Sequence, residues 1–406
     1  MKKFIRELRN VTNFVNTMKH IIPVRDMSPV LISTGVEKQM PYSVSKDFAV
    51  RAKEDGFVKE IDNKNNMMIL SYKDGSHEAV NLNPVVVKNG GGGFYLANTL
   101  IPLFKLGQKF KKNDVIAHNK DYFGKYYDGV KFNIGTLCKA AIMSAFCTYE
   151  DSKAITHKMS ERLTTEMIMM KHIVLGPNAT VVNMMKKGDK VKVGDELIKY
   201  EASNQEEAVN QLLSSIGNDL KEEIKSMSKN TLVSKYTGVI EDIRIYSTLD
   251  PKELSPSLGK VVTDYWKTIT DKKKLVRKYK IDDPTYMGNT YYEMDNPIRP
   301  DSTGKVKGYK LEEGVIIEFY IKFMDPVSNG DKLCDFSALK GVVSYIFPEG
   351  KEPKSEFRPE EEIGTILPES SVLARKTPSI ILNLWGNKMI IEMKRKLKEM
   401  YDNGKR

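Results

Sequence analysis

LGQKFKKNDVIA (106–117) and KGDKVKVGDELI (187–198) follow one pattern, Gly-x-x-apolar-x-x-[Gly/Asn]-Asp, and NGDKL (329–333) is a shorter third copy. Glycine or asparagine tolerates the left-handed backbone of a tight turn, and aspartate can hydrogen-bond within its own turn. Each copy therefore reads as a tight turn followed by a strand that re-enters a barrel or sandwich. YTGVIEDIRIY (236–246) adds the small-Gly-Val-apolar strand common in such sandwiches. The copies are too few and too far apart for a solenoid.

Around these copies the texture is mostly β. DGFVKEID (55–62), NMMILSYKDGS (66–76) and NPVVVKNGGGGFYLA (83–97) are short β-branched runs bounded by turn residues. Gly90–Gly93 read as a loop, because a phosphate-binding glycine loop needs a Lys-Ser/Thr and a following helix. Strands return over 312–348, and 349–362 is a charged surface loop. Apolar residues at three- and four-residue steps predict a helix over 1–20, ended by Pro23 and Pro29. Further helices are expected over 203–229, over the basic stretch 258–280, and from about 383 to the C-terminus, with loop over 281–310.

The 406 residues are 40% hydrophobic, which excludes wholesale disorder and allows two or three domains with real cores. The formal net charge of +11 points toward a polyanion such as nucleic acid, although a lysine-rich surface alone would also produce it. Cys138, Cys147 and Cys334 make no disulfide framework or CxxC, and five scattered histidines make no zinc site, so a reducing compartment is expected. MKKFIRELRNVTNF lacks the apolar core of a signal peptide, and the nearly apolar run Ile380–Ile391 is too short to span a bilayer. The expected location is cytoplasmic, without a membrane partner.

Four sets of residues carry candidate chemistry, and each has a plainer reading. Glu150 and Asp151 are adjacent carboxylates able to meet a hard cation or its hydration shell, or simply a solvated turn. They follow AAIMSAFCTY, read as an apolar strand, so they would sit at a strand end. Lys332 and Lys340, flanked by Gly330 and Gly341, can cradle a phosphodiester as point charges, or be two exposed lysines among many. Arg375 offers a bidentate grip on phosphate, or is an ordinary loop arginine. The cluster Lys272, Lys273, Lys274, Arg277, Lys278 and Lys280 could follow a nucleic-acid backbone or form a solvated helix face.

Taken in order, these segments resemble the second-largest (β) subunit of multisubunit DNA-directed RNA polymerases. NTMKHIIPV (16–24) resembles the family's N-M-Q-R-Q-A-V-P. The segment from Pro29 to Asp62 resembles P-x-V-G-T-G-x-E…G-x-V, with Thr34, Gly35, Glu37 and Gly56 on matching positions. LGQKFKKNDVIA resembles G-x-x-V-x-x-G-D-V-L-A. IGTLCKAAIMSAFCTYEDSKAITHKMSERL (134–163) resembles the stretch ending G-Y-N-x-E-D-x-x-x-x-S-E-R. YTGVIEDIRIY resembles G-x-x-G-x-V-x-x-V, GDKLCDFSALKGVVSYIFPE (330–349) resembles G-D-K-x-x-x-R-H-G-x-K-G-V, and VLARKTPSI (372–380) resembles V-P-S-R-M-N-x-G. Phe336-Ser337-Ala338 replace the family's Arg-His-Gly, and Cys147-Thr148-Tyr149 replace its Trp-x-Gly-Tyr-Asn.

The resemblance implies a β-rich α+β fold around a double-psi β-barrel built from two segments, 24–165 and 309–382. A flap-like or wall-like insertion would occupy 166–308, with flanking helices at 1–23 and 383–406. It implies that Lys332 and Lys340 contact the RNA 3′ end and the RNA–DNA hybrid. Glu150 and Asp151 would lie near the second magnesium ion and the incoming triphosphate, which Arg375 and Arg9 would grip. No Asp triad for the principal Mg2+ is present, so that ion would be held by a largest-subunit (β′-like) partner, and the chain would be silent alone. Its other implied partners are an N-terminal β fragment, DNA template, RNA transcript, nucleoside triphosphates and a promoter-specificity factor. The chain would be one piece of a split subunit, as in large bacteriophages. The hairpins also resemble sandwich barrels of biotinyl or lipoyl carriers, although no Met-Lys-Met or Asp-Lys-Ala is present. A nucleic-acid-binding module without catalytic role stays open as well.

Overall fold

The computed structural model describes residues 22–33, 35–88, 94–133, 135–201, 229–281, 297–306, 308–311, 313–335, 339–374 and 378–404. The helices expected over 1–20 and 203–228, the Gly90–Gly93 loop, Arg9, Thr34, Phe336–Ala338 and Arg375 lie outside them. The described residues are β-rich and divide into two compact units. One holds the described parts of 45–120 and 167–324, and the other those of 1–44, 121–166 and 325–406. Residues 45–120, grouped by the sequence with the first barrel segment, thus share a unit with 167–324.

In the first of these units, Met67–Tyr72 is buried at every position and lies between Gly56–Asp62 and His77–Asn81. Alternation sends its side chains two ways. Met68 and Leu70 pack with Val58, Val80, Phe110 and Ile116, whereas Met67 and Ile69 pack with Ile269, Leu275 and Val276. Those last three belong to the helix Pro256–Lys278, which starts with Pro256 behind Ser255, whose hydroxyl accepts from the Leu258 N–H at 3.3 Å. Farther along, Leu258 and Val262 of the same helix pack on Ile240, Ile317 and Phe319 of the six-stranded sheet. The basic residues of this helix partly serve the unit itself: Lys278 pairs with Glu60 at 2.9 Å and Lys274 with Asp271 at 3.6 Å.

The repeated sequence pattern is a repeated hairpin. Gly107, Gly188 and Gly330 take φ of 76°, 93° and 96° at the third turn position, which a type II turn reserves for positive φ. Each donates its N–H to the third residue of a Gly-apolar-apolar strand: Val58, Ile240 and Val343, at 2.9, 2.8 and 2.8 Å. That residue donates back to the carbonyl of Gln108, Asp189 or Asp331, at 3.1, 2.9 and 2.8 Å. Phe110, Val191 and Leu333 then pair with the leading glycines Gly56, Gly238 and Gly341. The aspartates close the turns, for the Asp114, Asp189, Asp195 and Asp331 carboxylates each accept the N–H three residues back, at 2.7–2.8 Å.

The second unit contains the third hairpin and a five-stranded sheet. Its strands are β1 (Ala140–Ile142), β2 (Ser152–Thr156), β3 (Lys332–Cys334), β4 (Lys340–Phe347) and β5 (Thr365–Leu367), in the order β1-β5-β2-β4-β3. β1 is parallel to β5 and β2 to β4, whereas β2–β5 and β4–β3 are antiparallel. Among the described residues the sheet is open, with β1 and β3 at its edges, and no barrel closes. Helix α1 (His157–Arg162) follows β2, capped by Thr156, whose hydroxyl accepts from the Met159 N–H at 3.2 Å. Helix α2 (Pro378–Asp402) ends the described chain. Among the described residues no helix is long and apolar enough to cross a membrane.

Three local expectations need correction. The loop expected over 281–310 includes a short pairing of Lys305–Val306 with Tyr309–Lys310. AAIMSAFCTY is a strand only at Ala140–Ile142, because the chain then turns outward and exposes Phe146. The 349–362 stretch is not all loop: Lys354–Ser355 and Arg358–Glu362 pair as a hairpin, tied to α2 by a bidentate ion pair, Arg358 to Glu392, with both bonds at 2.6 Å. Arg358, with Lys388 next, holds the Glu392 carboxyl down at about 2. A depressed folded-state pKa means this pairing favours the folded state above the ordinary glutamate pKa and loses that contribution as pH falls through about 2. In a Trp266→Phe background, acid titration of Trp385 fluorescence should therefore show a transition approaching pH 2, as α2 comes off the hairpin. Glu392→Gln should abolish that transition.

Candidate functional site

The third hairpin brings the sequence candidates together. Lys332 lies opposite Val342 and Cys334 opposite Lys340 across the β3–β4 pair. Lys340 and Val342 are two residues apart on one strand, so alternation puts both lysines on one face, as diagonal neighbours roughly 7 Å apart at Cβ. That face is open: Lys332, Lys340 and Val342 are all exposed, whereas Leu339, Gly341 and Val343 are buried. On the other side of β4 runs β2, with Ser152 opposite Val342. Glu150 and Asp151 therefore form the turn leading into β2, directly beside the lysine-bearing strand. Val342 N–H donates to the Asp151 carbonyl at 2.9 Å.

The acidic turn is held in an unusual form. Ser152 N–H donates to the Tyr149 carbonyl at 3.2 Å, and Tyr149 N–H donates to Ser152 Oγ at 2.6 Å. Between them Glu150 takes φ 45°, a left-handed backbone that costs a non-glycine residue about 1 kcal/mol. Both carboxylates face solvent. Gly341 permits the close approach, because a Cβ there would lie 2.2 Å from the Asp151 carbonyl oxygen. The Ser-Glu-Arg that follows is structural. Ser160 Oγ donates to the Val327 carbonyl at 2.6 Å, just ahead of the lysine hairpin, and Arg162 pairs with Asp26 at 2.6 Å.

Sequence reasoning missed two features. Lys153 is only 2% exposed, yet its ammonium donates to the Leu339 carbonyl at 2.7 Å and pairs with Asp335 Oδ1 at 2.9 Å. An unpaired buried charge costs several kcal/mol, so this lysine is committed to those partners. Its signal was its phase, for alternation puts Lys153 on the same side of the strand as Ile155. The second is an aromatic ridge. Phe146 is 85% exposed and meets Tyr345 edge-on at 5.5 Å, and Tyr149 beside the acidic pair is 79% exposed. Burial, aided by the Asp335 carboxylate, pushes the Cys138 thiol up to about 11.

Among the described residues no three His, Cys, Asp or Glu side chains gather in a way that could hold a metal ion. Glu150 and Asp151 supply two outward carboxylates, a set suited to touching a hydrated cation held by other ligands rather than to holding one alone. The chain matches no family model and no curated protein. The geometry itself is testable at Gly341. Gly341→Ala should force the Asp151 carbonyl away from β4, an overpacking that costs about 1–3 kcal/mol. The full chain should melt several degrees lower by calorimetry. An unchanged Tm would mean that the carbonyl is not seated there.

Proposed function

We propose that the chain is a fragment of the second-largest subunit of a multisubunit DNA-dependent RNA polymerase, as its ordered motifs suggest. On this reading the five-stranded sheet is part of a double-psi β-barrel, and its two parallel pairings, β1–β5 and β2–β4, support that topology. One observation carries the reading. Glu150-Asp151 and the Lys332/Lys340 pair, far apart in sequence, adjoin across β2, β4 and β3. The resemblance assigns both sets to one active centre, so their meeting on one sheet is what it requires.

The chemistry follows from residue type. Lys332 and Lys340 are compact cations that contact phosphodiester oxygens as point charges, fixing the RNA 3′ end and the hybrid. Such fixed charges accelerate transfer when they lie where negative charge develops. Glu150 and Asp151 orient water around the triphosphate's ion. In the assembly, magnesium held mainly by the largest subunit would supply Lewis acidity for the transfer. Arg375 and Arg9 are proposed as the triphosphate arginines, and 166–308 as the flap-like insertion. The chain acts only with its partners: a β′-like chain, an N-terminal β fragment, a promoter-specificity factor, template and transcript.

A stand-alone nucleic-acid-binding module is the second reading, favoured by the exposed lysines and by a hairpin pattern shared with sandwich barrels. A tagged pull-down from native cells through about 0.5 M salt, which screens simple polyanion bridging, separates the two. Recovery of a chain with a D-F-D-G-D triad in equal amount is expected. In that complex, Lys332→Ala with Lys340→Ala should reduce elongation at least a hundredfold and leave assembly intact. Unchanged RNA synthesis would overturn the assignment, and recovery of nucleic acid alone would favour the binding module.

A further inference from the structure

We infer that Lys153 is a positioning residue that sets the spacing of the Lys332/Lys340 pair; this rests on the reading of those lysines as hybrid contacts. The two lysines are joined through Leu333–Leu339, and their strands pair only from Lys332 to Cys334 on one side and Lys340 to Val342 on the other. Three residue pairs hold β3 as a short edge strand, joined to the sheet on one side only, through β4. Something must hold its open end, where Asp335 follows Cys334 and Leu339 precedes Lys340.

Lys153 meets both stems of that end at once. Its ammonium donates to the Leu339 carbonyl at 2.7 Å and pairs with the Asp335 carboxylate at 2.9 Å. Asp335 N–H also donates to the Leu339 carbonyl, at 3.1 Å, so the oxygen that joins the two stems is the one that accepts from the Lys153 ammonium. The lysine reaches there from β2, passing Gly341, where a Cβ would lie 3.1 Å from its Cε. Lys153 directly follows the acidic pair and Ser152, and lies opposite Val343. The strand that carries the acidic turn therefore also fastens the lysine loop from beneath. The two halves of the site are tied by one buried side chain, and the spacing of the two cations depends on it.

Lys340 is the cation most exposed to this control, since its backbone is bonded directly to the carbonyl Lys153 holds. The equivalent hairpins make the point by contrast. They carry Asp55 and Thr237 before their glycines, and only the third places a lysine there. Lys332, by contrast, has Lys109 and Lys190 at the corresponding turn positions.

The test uses the complex isolated with the full chain, and a short synthetic RNA–DNA hybrid as probe. Hybrid affinity is measured against salt concentration for wild type, Lys153→Met, Asp335→Asn and the Lys332→Ala/Lys340→Ala double variant, with circular dichroism to establish the folded fraction. Each phosphate contact contributes about 0.7–0.9 to the slope of log affinity on log salt. Lys153→Met, close in volume but uncharged, should weaken binding about tenfold and lower the slope by about one, although its own ammonium is buried and touches no phosphate. Asp335→Asn should act in the same direction. A role confined to stability would lower the melting temperature and leave the slope of the folded protein at its wild-type value, which would overturn the inference. The same holds if the double variant loses affinity and slope while both clamp variants bind as wild type. If Lys153→Met does not assemble, Asp335→Asn alone decides. If the double variant itself binds normally, the hybrid-contact reading fails, and the positioning inference falls with it.

Discussion

A carbonyl oxygen lying where a side chain would be is the constraint on which the rest depends. At Gly56, Gly238 and Gly341 a Cβ would sit within 2.2 Å of the carbonyl of Ser71, Lys322 or Asp151. Only glycine lets the neighbouring backbone pass so close. With the glycine in place, its strand can pair on one flank with the turn-strand of the hairpin and on the other with a second strand, the next in sequence at Gly56 and a distant one at Gly238 and Gly341. Two of the three crossings build the larger unit, and the third builds the face that carries the candidate site.

What distinguishes the third crossing is its cargo rather than its architecture. All three hairpins share the turn glycine, the reciprocal backbone bonds and an inward apolar residue. At Gly341 the passing carbonyl belongs to Asp151, so the acidic turn is drawn against the lysine strand. A lysine precedes the glycine only here, and a buried lysine, Lys153, fills the space beneath. A common scaffold thus becomes a charged face through three local substitutions. The buried Lys153 ammonium is paired, whereas Lys332 and Lys340 are exposed, as the cost of burying charge requires.

Parts of this were legible in residues alone. The Gly-x-x-apolar-x-x-[Gly/Asn]-Asp turns were readable because glycine and aspartate are local devices whose chemistry acts within four residues. The basic helix expected over 258–280 is found at Pro256–Lys278. Other parts were not. AAIMSAFCTY has the composition of a strand, but tertiary packing stops it at Ile142 and leaves Phe146 outside. EGKEPKSEFRPEEE looks like solvated loop, yet Arg358 there finds Glu392 on a distant helix. Lys153 drew no reading from the sequence, because burial of a charge is decided by partners such as Asp335 that lie far away in sequence.

By itself the sequence determined the local turns, the predominance of strands, the net positive charge and the identity of the charged residues at 150–151, 332 and 340. These depend on backbone preference and side-chain chemistry within a few residues. Only the tertiary structure decided that Ser152 runs parallel to Val342, that both lysines share one open face, and that Lys153 lies under their loop. Parallel pairing has no local signal, for the two strands can be joined by any length of chain, and their register is set by which apolar faces and which carbonyl find each other.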